Sequence, residues 1–127
     1  MWKFLLLFTL IASSVSLAQD NTGLAIDPSE SNVAGLFTMT DEPGRLRNLD
    51  LMESVFKDGE LGFKPERYHN VPSSFIYNKL TQLASKVSDN GTLLLYFNSH
   101  GGGSGNKFMM VSSSGPFRFS KAIESIA

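Results

Sequence analysis

The sequence predicts one α/β domain in which helices cover a mostly parallel sheet. Apolar segments of strand length alternate with segments whose apolar residues recur every three or four positions, as on one helix face. Segment 92–98 is apolar on both faces, which is typical of an inner strand of a parallel sheet. The order strand, helix, strand, helix, strand indicates an α/β protein.

Residues 1–18 have the organisation of a secretory signal peptide. Lys3 supplies a positive charge, Phe4 to Val15 is an almost continuous apolar run, and small residues stand at Ser16 and Ala18. The run is shorter than the roughly 20 apolar residues that span a bilayer. We therefore expect cleavage near Ala18, export to a periplasm or the cell exterior, and no membrane contact of the mature chain.

The composition of the remaining chain excludes several classes of site. Its length suits one small domain, and the net charge of −1 supplies no basic surface for nucleic acid. The absence of cysteine excludes disulfides and thiolate metal sites. The two histidines, His69 and His100, are far apart in sequence with no carboxylate pair evident beside them, so we expect no metal site and no cofactor.

The first half of the domain contains two predicted strands and a helix. Residues 19–31 are polar and predict a flexible N-terminal segment. Segment 32–40 is apolar, rich in strand formers and followed by turn residues, which predicts a buried strand. Segment 45–57 is predicted to be a helix with one apolar face, formed by Leu46, Leu49, Met52 and Phe56. A second short strand is expected within 63–70.

The second half begins with a helix and the most apolar strand. Ser73 is the expected N-cap of the helix, whose apolar face is formed by Ile76, Leu80, Leu83 and Val87. Segment 92–98 then provides the strongest strand prediction in the chain. The glycine-rich segment 99–105 that follows it is expected to be a loop.

The C-terminal residues predict shorter elements. A strand is expected over 108–111 and a turn over 112–115. A last helix is expected to begin at Lys121, with Ser120 as its cap.

His100 is the residue best placed for chemistry. In open α/β sheets, ligands bind beyond the carboxyl ends of the strands, and His100 leaves the most apolar strand at that end. The glycines after it let the backbone approach another group closely. A histidine in this place can act as a general acid or base near neutral pH.

Two familiar glycine motifs fit this loop poorly. A phosphate-binding P-loop is excluded because Lys107 follows asparagine and precedes a strand, rather than opening a helix after glycine. The segment 100–103 matches the His-Gly-Gly-Gly oxyanion loop of α/β-hydrolases. The required Gly-x-Ser-x-Gly pattern occurs only at 101–105, where it overlaps the same loop. The hydrolase hypothesis is therefore the less favoured one.

The block 93–101, LLLYFNSHG, resembles the hydrophobic strand and the Ser-x-His-Gly or Ser-Gly-His-Gly block of caspase-like cysteine peptidases of clan CD. The upstream order of elements is similar to the front half of caspases and metacaspases. The resemblance covers roughly residues 32–127. It implies the N-terminal portion of a caspase-like three-layer sandwich, apparently truncated, with a peptide or protein as substrate.

The resemblance implies roles for two residues. His100 would be the catalytic histidine, which polarises the scissile carbonyl or protonates the leaving amine. The backbone N–H of Gly101 would help to form the oxyanion hole, where one donor is commonly worth about 10²–10³ in rate. The four charged residues after the first strand are expected to form only a solvated turn and a polar helix face: Asp41, Glu42, Arg45 and Arg47.

The sequence departs from the family at the nucleophile. Caspases carry their cysteine about 50 residues after the histidine, whereas only 27 residues follow His100 here and none is cysteine. We therefore expect the chain to be inactive alone, with a second chain as one candidate to cover the exposed sheet edge. The alternatives are a non-catalytic caspase-fold binding module, a truncated product, or a substitute nucleophile at Ser99 or Ser104.

Overall fold

A computed structural model of the chain describes residues 3–10, 15–19, 26–57, 62–103 and 107–126, the first two segments as backbone only. Two sheets and three helices are built from these residues. In chain order the elements are β1 (Lys3–Leu10), β2 (Val15–Gln19), β3 (Asn32–Thr38), α1 (Arg45–Lys57), β4 (Phe63–His69), α2 (Ser73–Ser85), β5 (Thr92–Ser99), β6 (Gly101–Gly102), β7 (Met109–Ser112), β8 (Gly115–Arg118) and α3 (Phe119–Glu124).

The larger sheet has the strand order β2-β1-β5-β3-β4. Strand β3 lies between β4 and β5 and runs parallel to both, and helices flank these strands, which confirms the predicted α/β class. Because parallel neighbours require a crossover connection, α1 joins β3 to β4 and α2 joins β4 to β5. The carboxyl ends of the three strands consequently meet at one edge of the sheet.

The N-terminal segment lies beside β5. The backbone of β1 runs parallel to β5 over eight residue pairs, from Lys3 opposite Thr92 to Leu10 opposite Ser99, and β2 pairs antiparallel with β1. This pairing belongs to the chain with its first 18 residues attached, and signal cleavage stays a prediction. Residues 20–25 of the expected flexible segment lie outside the described residues. Ser31 at its end donates its amide N–H to the hydroxyl of Ser88 at 2.9 Å, in the connection between α2 and β5.

The two faces of β5 are buried in separate apolar clusters. Its odd-numbered leucines and Phe97 pack with one face of α2, through Ile76, Leu80 and Leu83. On the other face, Leu94 and Tyr96 pack with Leu49 of α1. All eight residues of β5 are buried, as expected for an inner strand of a parallel sheet.

Helix α1 has the predicted bounds, whereas both predicted serine caps are wrong by one or two positions. Pro72 is the N-cap of α2, and its extended backbone (ψ 158°) lets Ser73 begin the helix. The Ser73 hydroxyl instead lies 3.2 Å from that of Ser114. In α3 the cap is Arg118, since β8 leads directly into the helix and places Ser120 in its first turn.

A small antiparallel sheet was not expected from the sequence. Its order is β6-β7-β8, so part of the glycine-rich segment is strand rather than loop, and the predicted turn closes a hairpin. Met110 and Phe117 from this sheet are buried in the cluster on the α2 side of β5. The small sheet therefore extends the core at the end of β5 from which His100 leaves.

Candidate functional site

The carboxyl ends of β3, β4 and β5 bring four ionisable side chains together in two pairs. His69 is the last residue of β4, and His100 directly follows β5. Asp41 and Glu42 lie in the loop between β3 and α1. Each histidine contacts one of the two consecutive carboxylates. These carboxylates were not evident beside the histidines in the sequence, because the partners are distant along the chain and meet only where the strands end.

His100 is held by Glu42. The ring Nε2 lies 2.7 Å from Oε1 and 2.8 Å from Oε2 of the carboxylate, and each side chain is about two-fifths exposed. Loss of surrounding water alone would raise the pKa of Glu42. The charge of Arg45 and the hydrogen bonds from His100 and Arg45 outweigh it, and the pKa lies below its usual 4.5. The carboxylate is thus ionised near neutral pH and accepts the Nε2–H of His100.

Arg45 lies fully buried beneath this pair. Its guanidinium donates to the side-chain oxygen of Asn98 at 2.7 Å and to Oε2 of Glu42 at 3.1 Å. The prediction of a solvated position is wrong for Arg45, since α1 begins directly over the carboxyl end of the sheet and its first side chain points inward. A buried guanidinium is tolerated only when it is paired. Its Nε has no hydrogen-bond partner among the described residues.

His69 lies between a hydroxyl group and the second carboxylate. Its Nδ1 lies 2.6 Å from the hydroxyl of Thr38, and its Nε2 lies 3.0 Å from Oδ1 of Asp41. This row has the composition of a hydroxyl nucleophile with its base and orienting acid. Thr38 is fully buried, however, so a substrate has no access to its hydroxyl. The row instead holds the loop after β3 against His69, the last residue of β4.

The backbone N–H of Gly101 is directed away from the small sheet. Paired residues of antiparallel strands alternate between hydrogen-bonded and non-hydrogen-bonded pairs. The carbonyl of His100 accepts from the N–H of Val111 at 2.9 Å, so the next pair, Gly101 with Met110, is a non-hydrogen-bonded one. The Gly101 N–H is therefore not used by β7, and it lies next to His100 in the chain.

The substitute-serine hypothesis gains nothing from the structure. Ser99 is buried, and its hydroxyl donates to the carbonyl of His100. Ser104 lies outside the described residues.

Strand β7 follows the glycine-rich segment, whereas a P-loop would require a helix at this point.

No group of three or more His, Cys, Asp or Glu side chains in the described part of the chain is arranged to hold a metal ion. None of the helices described has the length and apolar character needed to cross a membrane. An open cavity of about 330 Å³ lies between α1 and β4. There Arg67 pairs with Asp50 and Glu53.

His100 and Gly101 were identified from the sequence as the candidate site, whereas Glu42, Arg45 and Asn98 were not. One signal for Glu42 was present, because it follows a strand whose carboxyl end lies at the same edge as that of β5.

No family model, no curated protein and no solved structure matches the chain.

Proposed function

We propose that this chain is the histidine-bearing half of an exported, caspase-like cysteine endopeptidase that acts on peptides or proteins. The observation that carries the proposal is the position of His100 and Gly101. Both follow the carboxyl end of the central parallel strand β5, where α/β sheets bind their ligands.

The two residues offer complementary chemistry to a scissile amide. The imidazole of His100 is partly exposed and can protonate the leaving amine. The N–H of Gly101, which the ladder with β7 does not use, is available to a developing oxyanion. These two groups supply proton transfer and charge stabilisation, and they require a thiolate from elsewhere because the chain contains no cysteine.

The register of β1 supports a place for that thiolate. Leu10 lies opposite Ser99, so a parallel strand beside β5 ends level with it, and the residue after such a strand would lie near His100. Removal of residues 1–18 by a signal peptidase would open this position. A cysteine-bearing strand from sequence beyond Ala127 would then occupy it.

The second candidate is a non-catalytic caspase-fold binding module. The absence of any cysteine from these 127 residues favours it. In that case His100 and Glu42 would only hold the end of β5 against the loop after β3.

Translation of the whole open reading frame that contains this chain tests the two candidates. We expect the frame to continue into a strand that ends in cysteine. Its product should hydrolyse fluorogenic peptides and be inactivated by iodoacetamide. His100→Ala should lower the rate at least about 100-fold, because a positioned proton donor is worth about 10²–10⁴.

His69→Gln is the matched control, and we expect it to lower the rate less than tenfold, since His69 contacts the other carboxylate. A frame that ends without a thiol, with no hydrolysis by its product, would refute the peptidase proposal and favour the binding module.

A further inference from the structure

We infer that Glu42 is a positioning residue that fixes the tautomer and orientation of His100, and that Arg45 and Asn98 hold Glu42 in place. The inference rests on the proposed function, because it describes how His100 is prepared for proton transfer. It adds Glu42 and Arg45, which lie outside the block 93–101, and Asn98 within it.

The tautomer follows from the contact with Glu42. An ionised carboxylate only accepts hydrogen bonds, and both of its oxygens lie within 2.8 Å of Nε2. The proton of the neutral ring is therefore held on Nε2. Nδ1 then carries the lone pair, and it makes no hydrogen bond with the described part of the chain. Nδ1 is the atom that can take a proton from a nucleophile and return it to a leaving group.

The orientation follows from a closed path of hydrogen bonds. Asn98 and His100 are two positions apart at the end of the same strand, so their side chains leave on the same side. The side-chain oxygen of Asn98 accepts from Arg45 at 2.7 Å, and Arg45 donates to Glu42 at 3.1 Å. Glu42 in turn accepts a hydrogen bond from Nε2 of His100 at 2.7 Å. The path begins at Asn98 in β5 and ends at His100, which directly follows β5, so the carboxylate is tied to the strand that leads into the imidazole.

The burial of Arg45 makes this path rigid. Its side chain is fully buried, whereas Glu42 and His100 are each about two-fifths exposed. The guanidinium is therefore fixed by packing, and the exposed carboxylate is fixed by the guanidinium. Thr40 adds a hydrogen bond from its hydroxyl to Oε1 of Glu42 at 3.2 Å. Orientation of a base by a carboxylate that is itself held is the arrangement that hydrolase triads use.

The neighbouring residue provides an internal control. Asp41 contacts Nε2 of His69 at 3.0 Å and, in the described structure, has no hydrogen bond to His100. The two consecutive carboxylates thus serve different histidines, so their substitution should affect different imidazole signals.

The test is a ¹⁵N-histidine spectrum of the full 127-residue chain, recorded without substrate at about pH 9, where histidine is neutral. We expect a protected, downfield Nε2–H resonance for each histidine. Glu42→Ala should abolish that of His100 and leave that of His69, and Asp41→Ala should do the reverse. Glu42→Gln should keep the His100 resonance, because its amide oxygen still accepts a hydrogen bond.

An unchanged His100 resonance in Glu42→Ala would overturn the inference, and so would its loss in Asp41→Ala. Both results leave the proposed function standing, since that depends on hydrolysis by the product of the whole reading frame. Conversely, a lack of hydrolysis with the expected spectra would refute the peptidase proposal and leave the tautomer assignment intact.

Discussion

Glu42 accepts a hydrogen bond from Nε2 of His100 at 2.7 Å, although 58 positions separate the two residues in the chain. The contact arises because β3 and β5 are parallel neighbours whose carboxyl ends lie side by side. Because of this contact, the proton of the neutral His100 ring is held on Nε2.

The buried guanidinium of Arg45 should be the most sensitive polar group of the site. Arg45→Met should lower the free energy of unfolding by about 1–3 kcal/mol, because it leaves the buried side-chain oxygen of Asn98 without its donor. Arg47→Met, on the exposed side of the same helix, should change it by less than about 0.5 kcal/mol. Urea denaturation measures both, and equal effects would contradict the buried pairing.

The stability contribution of Glu42 should depend on pH. Partial loss of water raises its pKa, but the charge of Arg45 and two hydrogen bonds lower it below 4.5 overall. A depressed pKa in the folded state stabilises the protein above the unfolded value, and the contribution is lost as the pH falls through the folded value. The difference in unfolding free energy between wild type and Glu42→Gln should therefore be present at neutral pH and shrink as the pH falls below 4.5. A difference independent of pH would contradict the ion pair.

Tyr68 should lose its phenol proton at a higher pH than an ordinary tyrosine. Burial, and then the charge and hydrogen bond of Glu66, raise the pKa of Tyr68 to about 12. A raised pKa stabilises the folded state below the unfolded value of 10.0, and this stability is lost as the pH rises towards 12. Near-ultraviolet absorbance should show a late phenol titration that disappears in Tyr68→Phe. In Glu66→Gln the titration should move to lower pH.

Substitution by alanine should lower the stability of the protein at Gly91 and be tolerated at Gly102. A Cβ at Gly91 would collide with the carbonyl oxygen of Ser31 and lie 2.8 Å from a methyl group of Val87, whereas a Cβ at Gly102 would meet nothing within 4 Å. Gly91→Ala should destabilise the protein by about 1–3 kcal/mol, since backbone cannot yield as a side chain does. Thermal unfolding of the two variants checks this. A tolerated Gly91→Ala would refute the close approach of 31 and 91.

Removal of residues 1–18 should expose the edge of β5. The eight backbone pairs with β1 are lost, and an apolar strand with open hydrogen-bonding groups promotes pairing with other chains. Sedimentation of the chain that begins at Gln19 should show dimers or larger species, and amide exchange in β5 should be faster than in the full chain. A monomeric preparation with a sharp thermal transition would contradict this.

Local sequence patterns were sufficient for the elements that burial alone defines. The spacing of apolar residues predicted the bounds of α1, and the unbroken apolar character of β5 predicted an inner strand. Leu49 of α1 and all residues of β5 are buried as these patterns predict, whereas Leu46 is exposed. Such patterns depend on the repeat of a single element. The strand over 108–111 was predicted and corresponds to β7. Helix caps and the strands β6 and β8 were missed because their residues are placed by neighbouring elements, as Pro72 and Gly101 show.

The sequence by itself determined that His100 follows the central strand and that no thiol lies within these 127 residues. Only the tertiary structure decided that Glu42 holds the imidazole, that Arg45 is buried beneath it, and that His69 pairs with Asp41. The physical reason is that polar partners at strand ends are selected by which strands lie side by side. That adjacency comes from crossover connections between elements and leaves no periodic trace in the chain.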